Sequence, residues 1–271
     1  TKTGSYEAAI VDNTYDISSF GCKSLRISDA VTSGSFGDQT FSYSTPNEAG
    51  EAAAVNNGYS GGTRTNHFDA QFDLASTQST QQSGMSLSVS PDRGDGARMS
   101  YLRFDDSSTG INVFFDDVQQ PGACAPAGCA NFVETQIATL DRSVPHTIKF
   151  SMDFVDGAGN DVVKVYIDGT LVHTGTSWED YYRYDPEQAG SGNQVPTVDS
   201  LLFREGGTAV PANSGKGYLI DNVGITTGAT PTVTVTIDKY LDGAMATAES
   251  ANSAAFPMTA TWNNLGADSG T

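Results

Sequence analysis

Residues 178–185 read W-E-D-Y-Y-R-Y-D, with one Trp, three Tyr and four charged side chains in eight positions. Sugar sites stack pyranose faces on Trp or Tyr and bracket the hydroxyls with carboxylate, amide or guanidinium groups. Trp178 and Tyr182 would supply the platforms, and Glu179, Asp180 and Arg183 the hydrogen-bonding groups. The same residues also suit a loop that crosses one mouth of a β-sandwich. There the aromatics would cap the core and Arg183 would pair with an acid. Both readings stand at this point.

The cysteines offer a second kind of chemistry. Cys124 and Cys129 enclose A-P-A-G, where Pro126 and Gly128 mark a tight loop able to bring two sulfurs within bonding range. A disulfide in an oxidising compartment is expected. Four intervening residues do not make a redox C-x-x-C, and His67, His146 and His173 stand apart from any zinc-like spacing. Cys22 is expected to be a buried free thiol. Arg93-Gly94-Asp95 reads as a turn, since Gly and Asp are ordinary turn residues.

The elements that must carry these groups are strands. H-F-D-A-Q-F-D-L-A-S places Phe68, Ala70, Phe72 and Leu74 on one face and Asp69, Gln71 and Asp73 on the other. T-I-K-F-S-M-D-F-V does the same with Ile148, Phe150, Met152 and Phe154. Short alternating runs of this kind, bounded by Gly, Asp, Ser and Pro, recur to residue 226 and predict an all-β, antiparallel jelly-roll sandwich with almost no helix. Asp168-Gly169, between two apolar runs, predicts a type I′ hairpin. A small, polar, Pro-ended stretch sets a linker at 228–231, and V-T-V-T-I-D-K-Y-L begins a second β-module over 232–271, too short for a full sandwich. The domain carrying the aromatic stretch is therefore 1–227.

Lys plus Arg number 14 against 32 Asp plus Glu, a net charge of −18. Such a surface repels phosphate backbones, which excludes nucleic acid as a partner class. No apolar run approaches the ~18 residues of a membrane span, and the opening T-K-T-G-S-Y-E-A-A-I-V lacks a leader's apolar core.

The run N-D-V-V-K-V-Y-I-D-G-T-L-V-H-T-G-T-S-W-E-D, through D-S-L-L-F-R-E-G-G to K-G-Y-L-I-D-N-V-G-I, resembles the concanavalin A-like lectin and glucanase superfamily. Within it the likeness is to laminin G-like bacterial members, and it covers roughly residues 5–227. It implies a bacterial extracellular or cell-surface location and a glycan or cell-surface polysaccharide as partner. In this superfamily a cation often ties the N-terminal segment to the closing strand, so the resemblance implies calcium at Asp221 with Glu7 or Asp12. V-T-V-T-I-D-K-Y-L-D-G and F-P-M-T-A-T-W resemble the opening of collagen-adhesin B-type repeats. That likeness makes Lys239 the matching position for an isopeptide bond.

Glucanases of the superfamily carry E-x-D-x-x-E on one strand, and no Glu of this chain is followed two residues later by Asp. Alginate-lyase relatives need Arg, Gln, His and Tyr on one sheet. Arg98, Tyr101 and Arg103 share a candidate strand without Gln-x-His, and Arg98 and Tyr101, three apart, are expected on opposite faces. The expectation is therefore a non-catalytic module that binds glycan or mediates adhesion. The alternatives are a structural spacer that assembles head-to-tail through residues 232–241, and third an enzyme with a non-standard site.

Overall fold

The computed structural model describes residues 7–15, 17–32, 39–43, 66–92, 98–155, 158–188, 198, 200–205, 207–228, 239–241 and 244–246. The chain divides into two units, Thr1–Thr230 and Pro231–Thr271.

The first unit carries strands β1 (Glu7–Asp12), β2 (Lys23–Ser28), β3 (Gln39–Phe41), β4 (His67–Ser76), β5 (Ser86–Asp92), β6 (Leu102–Ser107) and β7 (Gly110–Val118). It continues with β8 (Phe132–Leu140), β9 (His146–Asp153), β10 (Val162–Ile167), β11 (Thr170–Gly175), helix α1 (Glu179–Tyr184), β12 (Ser200–Glu205) and β13 (Tyr218–Gly228). A seven-stranded sheet runs β1-β2-β13-β4-β9-β10-β11, and a six-stranded sheet runs β3-β12-β5-β6-β7-β8. Every pairing is antiparallel. This is the all-β jelly-roll sandwich that the alternation predicts.

Alternation decides which face each strand buries, and register turns single residues into rows. In the seven-stranded sheet the rows are Phe68–Met152–Val163, Ala70–Phe150–Val165 and Phe72–Ile148–Ile167. Across the core stand Leu87–Phe104–Val113 and Val89–Leu102–Phe115. Phe72 spans the gap, meeting Phe104 edge-on at 6.2 Å and Phe203 at 5.6 Å between ring centroids. These side chains are essentially sealed from water.

The turns agree with the strands. Asp168 (φ 51°) and Gly169 (φ 78°) both take positive φ, as a type I′ hairpin requires. The Asp168 carboxylate then accepts from the Thr147 N–H at 2.9 Å and lies 2.7 Å from His146 Nδ1. Gly217 is a steric necessity. At φ 98° it packs so close to β2 that a Cβ would stand 2.0 Å from the Ile27 carbonyl oxygen. β13 bulges between Asp221 and Gly224, and Asn222 takes φ 49° there.

Two findings concern the cysteines. Cys124 and Cys129 are disulfide-bonded, with Cα atoms 5.9 Å apart. Cys22 is free but exposed, which corrects the expectation of a buried thiol. It directly precedes β2, where the chain has not yet entered the sheet, so no apolar layer covers it.

β13 runs to Gly228, so its last residue is the first of the expected 228–231 linker. In the second unit, β14 (Lys239–Leu241) pairs with β15 (Ala244–Ala246). Lys239 faces Ala246 in that register, and the expected strand before it, 232–238, lies outside the described residues. Residues 93–95 lie outside them as well.

Replacing Phe72 with Ala should cost about 3–5 kcal/mol in a urea unfolding curve, the range for deleting a buried aromatic. Val155→Ala, at an exposed position, should stay within about 0.5 kcal/mol. Thiol labelling of the native, unreduced protein should modify one cysteine, Cys22.

Candidate functional site

The aromatic stretch forms the short helix α1 and its flanks. Ser177 Oγ accepts the Glu179 N–H at 3.1 Å, and Glu179 pairs with Arg183 one turn on. Acids in the first turn and Arg183 in the last suit the helix dipole. The helix is fastened to the segment that precedes β6 and to β7. The Trp178 N–H donates to the Met99 carbonyl at 2.9 Å, its indole N–H to the Asp116 carbonyl at 3.0 Å, and the Tyr182 hydroxyl to the Arg98 carbonyl at 3.0 Å. The Asp180 carboxylate accepts from the Gly159 N–H at 3.1 Å.

These ties leave little free surface on the expected platforms. Trp178 is 9 % exposed, Tyr182 5 %, Glu179 4 % and Asp180 6 %. The Trp178 ring stacks on Tyr101 at 5.7 Å and meets Phe132 edge-on at 4.9 Å. Tyr181 joins Phe132 at 5.4 Å, and its hydroxyl donates to Glu187 at 3.0 Å. Burial first, and then Glu187, push the Tyr181 hydroxyl up to about 12. The aromatics form a wall in which the half-exposed Phe132 and Tyr181 face outward and Trp178 is the post behind them.

At the foot of this wall lies a set of groups that the sequence reading did not assemble. Register across the outward side of the six-stranded sheet gives one row of Arg204, Ser88, Arg103, Phe114 and Gln136. Beside it Leu202 and Ser90 are partners, and Asp116 and Glu134 are partners, with Tyr101 between them through the Asp116 N–H to Tyr101 carbonyl bond. Arg103 reaches Glu134 at 2.6 Å, also pairs with Asp105, and lies 4.4 Å over the Phe114 ring. Arg98 sits 5.6 Å over the Tyr101 ring. This corrects the expectation that Arg98 and Tyr101 face opposite ways. Alternation holds only inside a strand, and β6 begins at Leu102, after a bend at 99–100.

Asp116 is the perturbed member of this set. Desolvation is the larger cause and the facing Glu134 carboxylate the next, and together they push its carboxyl up to about 6 against the pull of Arg103. Burial pushes the Tyr101 hydroxyl up, and burial with the neighbouring Arg204 lowers Arg98. A carboxyl poised near neutrality beside a second carboxylate, a guanidinium and a phenol is an arrangement that can bind a hydroxyl-rich chain and move a proton. Asp116 and Glu134 escaped the sequence reading because pairing depends on the β7–β8 register, which shifts between Val113 and Phe114.

The residues expected to hold calcium, Asp221 with Glu7 or Asp12, each have partners within the protein. Glu7 and Asp12 lie at opposite ends of β1. Glu7 is bonded to Arg26 at 3.0 Å and Ser28 at 2.5 Å, and Asp12 pairs with Lys23. Asp221 accepts from the Gly21 N–H and the Ser24 hydroxyl at 3.0 and 2.9 Å. Calcium takes six to eight oxygens at about 2.3–2.6 Å, and here the candidate oxygens serve protein donors. Among the described residues one group of three has metal-ligand spacing, Cys124, Cys129 and Asp185. Its sulfurs are bonded to each other, and the Asp185 oxygens accept from the Gly128 and Ala130 N–H groups at 2.7 and 2.8 Å.

No family model and no curated protein matches the chain. Solved structures similar to it include an alginate lyase of polysaccharide lyase family 7, with 8 % identity, 82 % of this chain and 84 % of that chain covered, and a TM-score of 0.43. An alginate lyase from Pseudomonas aeruginosa is 9 % identical, with 84 % and 87 % covered and a TM-score of 0.42. Domain 4 of an extracellular arabinanase from Geobacillus stearothermophilus, in complex with arabinotriose, is 11 % identical, with 84 % and 82 % covered and a TM-score of 0.38. The chain spans 17 % of the length of a similar sialidase. At such identities these likenesses give no residue a role. They do correct the expectation of a non-catalytic chain. Lyases, an endo-1,3-β-glucanase and a carbohydrate esterase stand among the similar structures.

The folded chain holds the Asp116 proton up to about 6, whereas the unfolded chain releases it near 3.8. Between those values the folded state binds more protons, so its stability falls as pH rises through this window. Asp116→Asn should therefore raise the melting temperature at pH 7 and flatten its slope between pH 4 and 6. A variant that melts below wild type at pH 7 with the slope intact would place the strain elsewhere.

Proposed function

We propose that this protein engages a glycan along the outward side of the six-stranded sheet, at Arg103, Asp116 and Glu134, with the Phe132–Trp178–Tyr181 wall bounding one end. Asp116 is the group that gives or takes a proton there. The observation that carries the reading is the Asp116 carboxyl raised to about 6 opposite Glu134. An ordinary solvated carboxylate is almost wholly ionised at neutral pH, whereas one raised to about 6 keeps roughly a tenth of its protons at pH 7 and titrates just below neutrality. Arginine and carboxylate side chains bracket hydroxyls well, and the half-exposed Phe132 supplies apolar area for a ring face.

The disulfide supports an oxidising, extracellular setting, and no helix among the described residues is long and apolar enough to cross a membrane. Attachment to a bacterial surface, adhesion and head-to-tail assembly through residues 232–241 draw on the sequence resemblance and the alternation of Val233, Val235 and Ile237. Sedimentation of the chain with and without residues 230–271 tests the assembly.

The site itself is tested on a panel of neutral and uronate-containing polysaccharides, scored for binding and for new chain ends or unsaturated products. Turnover that follows pH through about 6 in wild type, and falls at least ~100-fold in Asp116→Asn, is the expected result for a general acid–base. Glu134→Gln should shift that pH profile downward, since it removes the repulsion that raises Asp116. Binding that survives both changes unaltered would move the glycan off this face, and no binding to any glycan would end the reading.

A further inference from the structure

We propose that the Cys124–Cys129 disulfide is a redox-sensitive latch that holds the aromatic wall in place through the buried carboxylate of Asp185. Three observations meet at one point. Asp185 closes helix α1 and is 0 % exposed. Its two oxygens are bonded to the Gly128 and Ala130 N–H groups, which flank Cys129 where the disulfide loop closes, and one of them also accepts the Glu187 N–H at 2.9 Å. Trp178, which caps the start of the same helix, and Tyr181 within it meet Phe132, the first residue of β8, shortly after that loop. The loop therefore acts on the wall from both ends, by the chain at Phe132 and by the carboxylate at Asp185.

The coupling follows from what a buried carboxylate tolerates. Burial works against the Asp185 charge, and backbone N–H groups from Glu187, Ala130, Gly128 and Cys129 outweigh it and hold the carboxyl below the usual range. Those donors point inward because the disulfide keeps the loop closed. Once the loop opens, a sealed anion loses its donors, which is among the costliest polar defects a fold can carry. The end of α1 must then swing until Asp185 reaches water, and the rings travel with it. The sandwich beneath is untouched, since both sulfurs lie outside the two sheets.

Opening is chemically simple. The loop stands out from the sheets, with Ala125, Pro126, Ala127 and Gly128 exposed and both cysteines half-buried. A thiolate of a small dithiol attacks one sulfur, the S–S bond breaks, and a mixed disulfide forms. The second thiol of the reagent then closes its own disulfide and releases the remaining cysteine. Two electrons and two protons pass from the dithiol to Cys124 and Cys129.

The chain has two tryptophans, so Trp262→Phe leaves Trp178 as the sole reporter. In that full-length background, acrylamide quenching of Trp178 is measured before and after dithiothreitol, together with far-UV circular dichroism. Reduction should raise quenching several-fold while the β-sheet spectrum is unchanged. Cys124→Ser with Cys129→Ser should show the raised value without reductant, and Asp185→Asn should approach it with the disulfide intact. Equal quenching in oxidised and reduced protein overturns the proposal. So does loss of the β-sheet spectrum on reduction, which would make the disulfide a clasp of the whole sandwich. Any loss of glycan binding on reduction rests on the proposed function, whereas the quenching change does not. A protein that binds no glycan yet shows that change keeps the latch and loses only the function.

Discussion

Everything outward on this protein is set by what one ring does inward. Phe72 meets Phe104 and Phe203 edge-on from the facing sheet, and edge-to-face packing is specific about distance and angle. That contact fixes how the two sheets face each other. Once Phe72 points in, period two obliges Asp73 and Gln71 to point out, and register carries the same parity to every neighbouring strand. On the six-stranded sheet the parity that seals Leu102, Phe104 and Phe115 delivers Tyr101, Arg103, Asp116 and Glu134 to one outer surface.

The electrostatics of that surface come from proximity rather than from the charge of the molecule as a whole. The net charge of −18 surrounds the protein with water-screened carboxylates. Asp116 differs because desolvation acts on it first, and the Glu134 carboxylate opposite it acts next. Arg103 counters both, yet its guanidinium is shared with Glu134 and Asp105 and spread over Phe114. It therefore offsets only part of the desolvation and repulsion that act on Asp116.

What the sequence revealed and what it withheld divide along the range of the signal. The hairpin at Asp168-Gly169 and the faces of β4 and β9 depend on neighbours a few residues apart, and short-range chemistry is written in the sequence. The pairing of Asp116 with Glu134 depends on a bulge that no residue type announces. Arg98 and Tyr101 came together because a bend interrupts the period, and one bend reverses any argument from parity. The W-E-D-Y-Y-R-Y-D stretch was visible as chemistry, but its exposure was not. Burial of Trp178 and Tyr182 is decided by Arg98, Met99 and Asp116, far away in the chain.

The place of β13 in its sheet has a consequence for how the protein is made. It is the last strand of the first unit to leave the ribosome, yet it lies between β2 and β4, with Tyr218 opposite both Ile27 and Ser76. Until residues 218–228 emerge, a nascent chain can complete the β4-β9-β10-β11 side of the sheet, while the β1–β2 hairpin has no edge to join. The open sides of β2 and β4 must wait unpaired until β13 emerges, and closing a loop of this length adds an entropic barrier of its own. Within this unit β1 and β2 are made early and secured late, which makes their hairpin the part of this fold most dependent on residues 218–228.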